Sequence, residues 1–238
     1  MVLEEFQRYA VYFAPQRLSR LGAFGNSWLG FDPETGDDLD RPDLGDDTKA
    51  QIIDVTAAPH RYGFHGTLKP PFALRSGTTS DQLVFAIEEL CGSVRPFDCG
   101  SISVRALGVF LALTLDHSST ELANLAALCV QELDSFRAQP SPAEIARRQK
   151  AGLTERQERF LEMWGYPYVF EEFRFHMTLT GELDSDLRPI MSEKLSEIAA
   201  SALSSPLQIE DICLFGDPGD GQRFQLIRRF PLGNDRIA

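Results

Sequence analysis

Two short words of this sequence hold the residues best suited to chemistry: His65-Gly66-Thr67-Leu68 and His176-Met177-Thr178-Leu179, 111 residues apart. Each sits in a longer match, Tyr62 to Lys69 against Phe173 to Thr180, with Phe, His, Thr and Leu in the same places. Hydrolysis of a phosphodiester needs a base to deprotonate the attacking water and an acid to protonate the leaving oxygen, and histidine titrates near working pH. Two imidazoles supply both roles. A threonine hydroxyl two residues beyond each histidine can donate to the non-bridging phosphate oxygens, where charge builds up.

The spacing predicts that each word is a strand, because side chains two apart share a face. Arg61, Gly63, His65, Thr67 and Lys69 then point one way, as do Arg174, His176, Thr178 and Thr180 in the second copy. The aromatic and aliphatic residues between them point to a core. A single strand of this kind reads equally well as the solvated side of an antiparallel sheet. A matched pair that uses two of the four histidines in the chain points instead to one shared site. Arg61, Lys69 and Arg174 are candidates for charge-assisted contacts to phosphate, or for ion pairs at a sheet rim. Tyr12, Tyr166 and Tyr168 are candidates to stack on a base or sugar, or to pack. His60 and His117 read as structural or exposed.

Other chemistries lack their words. A catalytic zinc needs about three protein ligands, and neither motif has an adjacent carboxylate or HExxH spacing, so no metal or other cofactor is expected. No GxSxG stands between a strand and a helix, and no GxxxxGK[ST] is present for a phosphate-binding loop.

Elements able to position the two words follow from the pattern. Arg8–Ala14 reads as an opening strand and Gln16–Phe24 as a short helix, with an acidic loop over Asp32–Asp47 leading through Gln51–Val55 to the first word. A helix runs from Ser80 or Asp81 to Leu90, two strands (Ser101–Val104 and Val109–Leu115) flank a turn at Leu107-Gly108, and His117–Phe136 is helical. Ser141-Pro142 opens a helix over Ala143–Lys150, and Thr154 with Gln157 caps another to Met163. Val169–Gly181 returns to strand, Leu187–Leu203 to helix, and Leu207–Phe215 with Phe224–Phe230 form a closing strand pair. Because each word is followed by a helix and two strands, the chain reads as two related lobes, residues 1–238 forming one bilobal unit with a cleft on a pseudo-twofold axis.

Composition bounds the partner. The chain has 238 residues, 43% of them hydrophobic, and a formal net charge of -12. Its overall charge repels long polyanions, yet a local pocket can still take a small phosphorylated substrate. The acidic loop reads as solvated. Four scattered cysteines, at 91, 99, 129 and 213, suit buried thiols of a reducing compartment. With no export signal or apolar span in the sequence, a cytoplasmic location away from membranes is expected. Oligomeric state is not legible.

The paired H-x-T words resemble those of the two-histidine phosphoesterase superfamily, which includes 2′–5′ RNA ligase-like proteins and cyclic phosphodiesterases. The stretches Arg8–Pro15, Tyr62–Phe72 and Trp164–Gly181 are similar to a branch encoded beside bacterial phosphonate-utilisation genes. The resemblance implies an α+β fold with two antiparallel sheets around a cleft, no obligatory cofactor, and His65, Thr67, His176 and Thr178 as the catalytic tetrad. It leaves the two histidines interchangeable as acid and base. It also implies a metal-independent phosphodiesterase acting on a small cyclic phosphate of a nucleotide or ribose. The alternatives are RNA end processing or 2′–5′ ligation, disfavoured by the net charge, and a non-catalytic sensor of a nucleotide or phosphonate metabolite.

Overall fold

The computed structural model describes residues 6–42, 46–150 and 152–233. In chain order its elements are β1 (Arg8–Phe13), α1 (Arg20–Leu29), α2 (Asp46–His60), β2 (Gly66–Phe72), α3 (Ser80–Gly92), β3 (Phe97–Asp98), β4 (Ile102–Leu107) and β5 (Phe110–Leu115). There follow α4 (Thr120–Glu132), α5 (Pro142–Gln149), α6 (Glu155–Trp164), β6 (His176–Thr178), α7 (Leu187–Ala199), β7 (Gln208–Ile209), β8 (Asp211–Asp217) and β9 (Gln225–Pro231). This is the expected α+β architecture. Its seven-stranded antiparallel sheet has the order β4-β5-β6-β2-β1-β8-β9, and β3 pairs with β7 apart from it.

The two H-x-T strands, β2 and β6, are neighbours at the middle of that sheet and meet through one residue pair, Gly66 with Met177. The single sheet thus has two halves joined edge to edge at this pair, with β1, β8 and β9 beyond β2 and β5 and β4 beyond β6. Glycine is required at the joint. A Cβ on Gly66 would lie 2.4 Å from the Phe175 ring.

One face of the sheet is a core face, where Tyr9, Val11, Phe13, Leu68, Leu113, Met177, Ile212 and Leu214 pack with helical residues such as Leu83, Ile87, Leu122 and Leu125. The other face carries a smaller cluster of Ala10, Tyr12, Cys213, Phe215 and Phe224. Helix ends follow local chemistry. Ser19 caps α1 through Gly22 N–H and Gly30 closes it at φ 73°, so the helix starts and stops later than Gln16–Phe24. Thr79 with Gln82, Ser141 with Glu144 and Thr154 with Gln157 each form a reciprocal capping box.

Two expected elements are shorter than their patterns. Ser119 caps α4, which leaves His117 outside it, and the chain turns to a 3-10 segment at Asp134–Phe136. In place of a strand from Val169 to Gly181 there is a 3-10 turn at Phe170–Glu172 and a strand of three residues, His176–Thr178. The turn is held because Arg156 Nε and Gln157 Nε2 both donate to the Glu172 carboxylate, at 2.7 and 2.9 Å. Of the acidic stretch, Asp32 is buried, accepts from Arg17 Nε at 3.0 Å and from Glu34 N–H at 2.9 Å, and so forms a turn. Asp46 and Asp47 begin α2, and Asp43 lies outside the described residues. No helix among the described residues is long and apolar enough to cross a membrane.

Candidate active site

Antiparallel pairing of Gly66 with Met177 sets His65 across from Thr178 and Thr67 across from His176, and residues directly opposite each other share a face. Both histidines and both threonines therefore lie on one face, around the single joint between the half-sheets. The two words meet as the sequence predicts.

Each imidazole is anchored alike. His65 Nδ1 lies 2.9 Å from the carbonyl of Gly63, and His176 Nδ1 lies 2.8 Å from that of Arg174. A carbonyl can only accept, so Nδ1 carries a proton in both rings and Nε2 is left to take or give one. Thr67 Oγ1 stands 3.3 Å from His65 Nε2. The anchoring residue, two before each histidine, is another repeat of the motif's geometry.

The surroundings differ. Tyr12 is 1% exposed and stacks on His65 with 3.8 Å between ring centroids and 22° between planes. Tyr62 and Phe215 lie at 6.3 Å from the same ring. Burial lowers the His65 pKa to about 4, opposed in part by its bond to Gly63, with His176 adding a lesser lowering. Around His176 the aromatic neighbour is Phe110, tilted at 5.9 Å, and the residue paired with it on β5 is Thr114.

A cavity opens at each end of the joint. The larger, about 480 Å³, is lined by Thr67, His176, Arg174, Tyr166, Tyr168 and Gln157 among others. The smaller, about 290 Å³, is lined by His65, Thr178, Tyr62, Phe110 and Pro59 among others. Each cavity holds one histidine and the other motif's threonine.

Several expected substrate contacts are placed otherwise. Lys69 is 2% exposed and faces the core, where Nζ donates to the Val130 carbonyl at 3.0 Å and lies 3.7 Å from Asp134. The cause is a bulge. Thr67 pairs with Tyr12 but Lys69 pairs with Val11, so two residues of β2 advance against one of β1 and the alternation inverts. Burial lowers the Lys69 pKa to about 8 despite the Asp134 charge. Asp134 also pairs with Arg137, which donates to Met163 O at 3.1 Å, so this buried group braces the end of α6.

Arg61 precedes β2 rather than sharing its face. Its Nε donates to Gln222 O at 3.1 Å and Nη2 lies 3.4 Å from Asp217, which Arg8 also holds. Tyr12 is a neighbour of His65, not a free stacking surface. Tyr166 and Arg174 do line the larger cavity, and Tyr168 is exposed beside them. His60 Nδ1 lies 2.7 Å from the carbonyl of Leu29, a structural role as expected. Among the described residues no three His, Cys, Asp or Glu side chains gather into a group able to hold a metal ion. The four cysteines are free and buried.

Sequence reasoning missed Thr114 and Arg148. Thr114 Oγ1 is buried without a hydrogen-bond partner, and Arg148 places its guanidinium 4.8 Å from the Tyr166 ring centroid. Alternation along β5 would have set Thr114 on one of two faces, but only its pairing with His176 identifies it. For Arg148, in a helix distant in sequence, there was no signal.

These features define an antiparallel α+β protein with two histidines and two threonines on one sheet face, around a single strand joint. The family described as Protein of unknown function (DUF1045) matches residues 67–225, and the chain belongs to it. A ribose 1,5-bisphosphate phosphokinase PhnN of Janthinobacterium sp. (strain Marseille) is 34% identical over 232 residues, 96% of this chain and 51% of that protein. One of Laribacter hongkongensis is 35% identical over 222 residues, 93% of this chain and 51% of that protein. The chain thus spans about half the length of these relatives. Escherichia coli LigT complexed with 3′-AMP is 16% identical, with a TM-score of 0.45 over 96% of this chain and 99% of that one.

Proposed function

We propose that this chain is a metal-independent phosphodiesterase that opens a small cyclic phosphate, with His65 as general base and His176 as general acid. The observation that carries the reading is the joint itself: two Nδ1-anchored imidazoles and two hydroxyls on one face, paired crosswise at a single bridge. The covering by Tyr12 distinguishes the two rings. A ring kept neutral at working pH has its Nε2 lone pair available for a proton, which is what a base needs.

In the proposed step, His65 Nε2 takes a proton from water as the water oxygen bonds to phosphorus. The bond from phosphorus to the ring oxygen on the opposite side breaks, and His176 Nε2–H gives that oxygen its proton. The product is a phosphomonoester with a free hydroxyl. Exchange with solvent then returns both rings to their starting states. Thr67 can turn its hydroxyl from His65 to a non-bridging oxygen, and Thr178 can donate to the other. Because the acid lies in the larger cavity, the sugar bearing the leaving oxygen extends there, past Arg174, Tyr166 and Tyr168.

A ribose cyclic phosphate fits best. The named relatives act on a ribose bisphosphate, but this chain has no GxxxxGK[ST] word for a kinase, so their kinase step is assigned to the half it does not span. The net charge of -12 favours a small substrate over an extended nucleic acid. Turnover of 2′,3′-cyclic nucleotides and ribose cyclic phosphates in EDTA tests the reading. Hydrolysis lost separately in His65→Ala and His176→Ala is expected. Hydrolysis that survives both substitutions contradicts it.

A further inference from the structure

Buried polar atoms in native proteins nearly all have a partner, so each exception asks what occupies the space beside it. Three stand out among the described residues: Thr114 Oγ1, Arg148 Nε and Trp164 Nε1. Each is paired with or packed against a residue that lines the larger cavity, one layer behind its wall. Thr114 is paired with His176, which lines it. Arg148 lies over the ring of Tyr166, which lines it as well. Trp164 ends α6 two residues before Tyr166 and packs edge-on against Phe170, another wall residue, at 5.2 Å.

Two of the three orphans can only donate, since guanidinium and indole nitrogens accept nothing. Their missing partner is therefore an acceptor. No carboxylate among the described residues forms an ion pair with Arg148, although the chain as a whole carries twelve more negative than positive charges. Glu172, the carboxylate in the cavity wall, is already held by Arg156 and Gln157. Burial, and the nearby charges of Arg147 and Arg8, disfavour the charged form of Arg148, opposed by Tyr166 and Glu144. Its cost is relieved when an anion binds.

We infer that Arg148, with Tyr166 and Trp164, forms a subsite for a second phosphate of the substrate, at the end of the larger cavity away from the scissile ring. The substrate class is a cyclic phosphate whose sugar carries another phosphate. This rests on the reading of the His65 and His176 cleft as a diester site. Arg148 would read the second group as a charge-assisted donor, stiffened by its stack on Tyr166.

The test compares methyl ribofuranoside 2,3-cyclic phosphate with its 5-phosphorylated counterpart, with binding measured by calorimetry and hydrolysis followed in parallel. The 5-phosphate is expected to tighten binding by about ten-fold or more. Arg148→Gln should erase that gain while changing affinity for the singly phosphorylated ester by much less. Arg147→Gln, an equal charge change on an exposed neighbour, should preserve most of the gain, and Trp164→Phe should lose part of it. Equal affinity for the two esters overturns the subsite, as does a gain that survives Arg148→Gln or falls equally in Arg147→Gln. Failure of the doubly phosphorylated ester to bind also overturns it. Binding of both esters without hydrolysis overturns the phosphodiesterase reading alone, and equal hydrolysis and affinity of both overturns the subsite alone.

Discussion

The two H-x-T halves of the site are alike in backbone and unlike in cover. Both histidines hang from the carbonyl two residues back, which leaves Nε2 for chemistry in each. His65 lies under the Tyr12 ring, with Tyr62 and Phe215 beside it, and opens on the smaller cavity. His176 has Phe110 and Thr114 for neighbours and opens on the larger one. A duplicated motif thus supplies two equivalent imidazoles, and the unduplicated residue Tyr12 makes them different. Symmetry brings the groups together, and its local failure assigns their direction.

The most severe way to break this comparison is to remove one ring at a time. His65→Ala and His176→Ala should each lower kcat on a cyclic ester by roughly 10²- to 10⁴-fold, measured at saturating substrate. Loss in only one variant would mean that the halves are not both needed. Thr67→Ala and Thr178→Ala come next, with an expected fall in kcat of about 10- to 10³-fold and a smaller change in KM, because their hydroxyls serve charge that builds up in the transition state. Unchanged kcat in both variants would remove the hydroxyls from the chemistry.

Tyr12→Leu sharpens the contrast by uncovering one ring. With His65 lowered to about pH 4 by burial, its neutral form persists down to that pH, and the acid limb of kcat/KM should fall there. Uncovering the ring should move the limb up toward the ordinary histidine value of about 6.5. The same shift has a stability sign. Between about pH 6.5 and pH 4 the unfolded chain binds a proton at His65 that the folded chain resists, so stability should decline as pH falls through that window. Chemical denaturation at stepped pH should show a shallower decline in Tyr12→Leu. An unmoved limb and an unchanged slope would mean that Tyr12 does not govern the ring.

The smallest catalytic effect is expected at Lys69. It shares the first motif but faces the core, so Lys69→Met should change stability by about 1–3 kcal/mol and leave kcat/KM within about two-fold, as thermal melts and initial rates would show. A large catalytic loss with an unaltered melt would return Lys69 to the cleft.

What could be read from the chain and what could not divide along the same line. His65, Thr67, His176 and Thr178 were legible because strand alternation is local, and a period of two needs only a few residues to declare itself. The Ser141 cap and the Thr154 capping box were legible for the same reason. Lys69 was not, because the bulge that turns it inward depends on which residue of β1 it meets. Nor was Tyr12, whose role comes from stacking across a strand pair, or Arg148, whose partner Tyr166 lies in another element. The α+β layout was implied by the resemblance of the paired words and their flanks, whereas the edge-to-edge joint at Gly66 and Met177 is a tertiary fact.

The account turns on the direction of proton flow, and leaving-group dependence reads it most directly. Wild type, His65→Ala and His176→Ala would be compared on a matched pair of phosphodiesters, one with an alkoxide and one with a p-nitrophenolate leaving group. A p-nitrophenolate leaves without a proton, so it bypasses the acid but still needs the base. His176→Ala should recover to within about ten-fold of wild type on that ester, while His65→Ala stays impaired on both. Recovery by His65→Ala instead, or equal impairment of the two variants, would contradict the assignment.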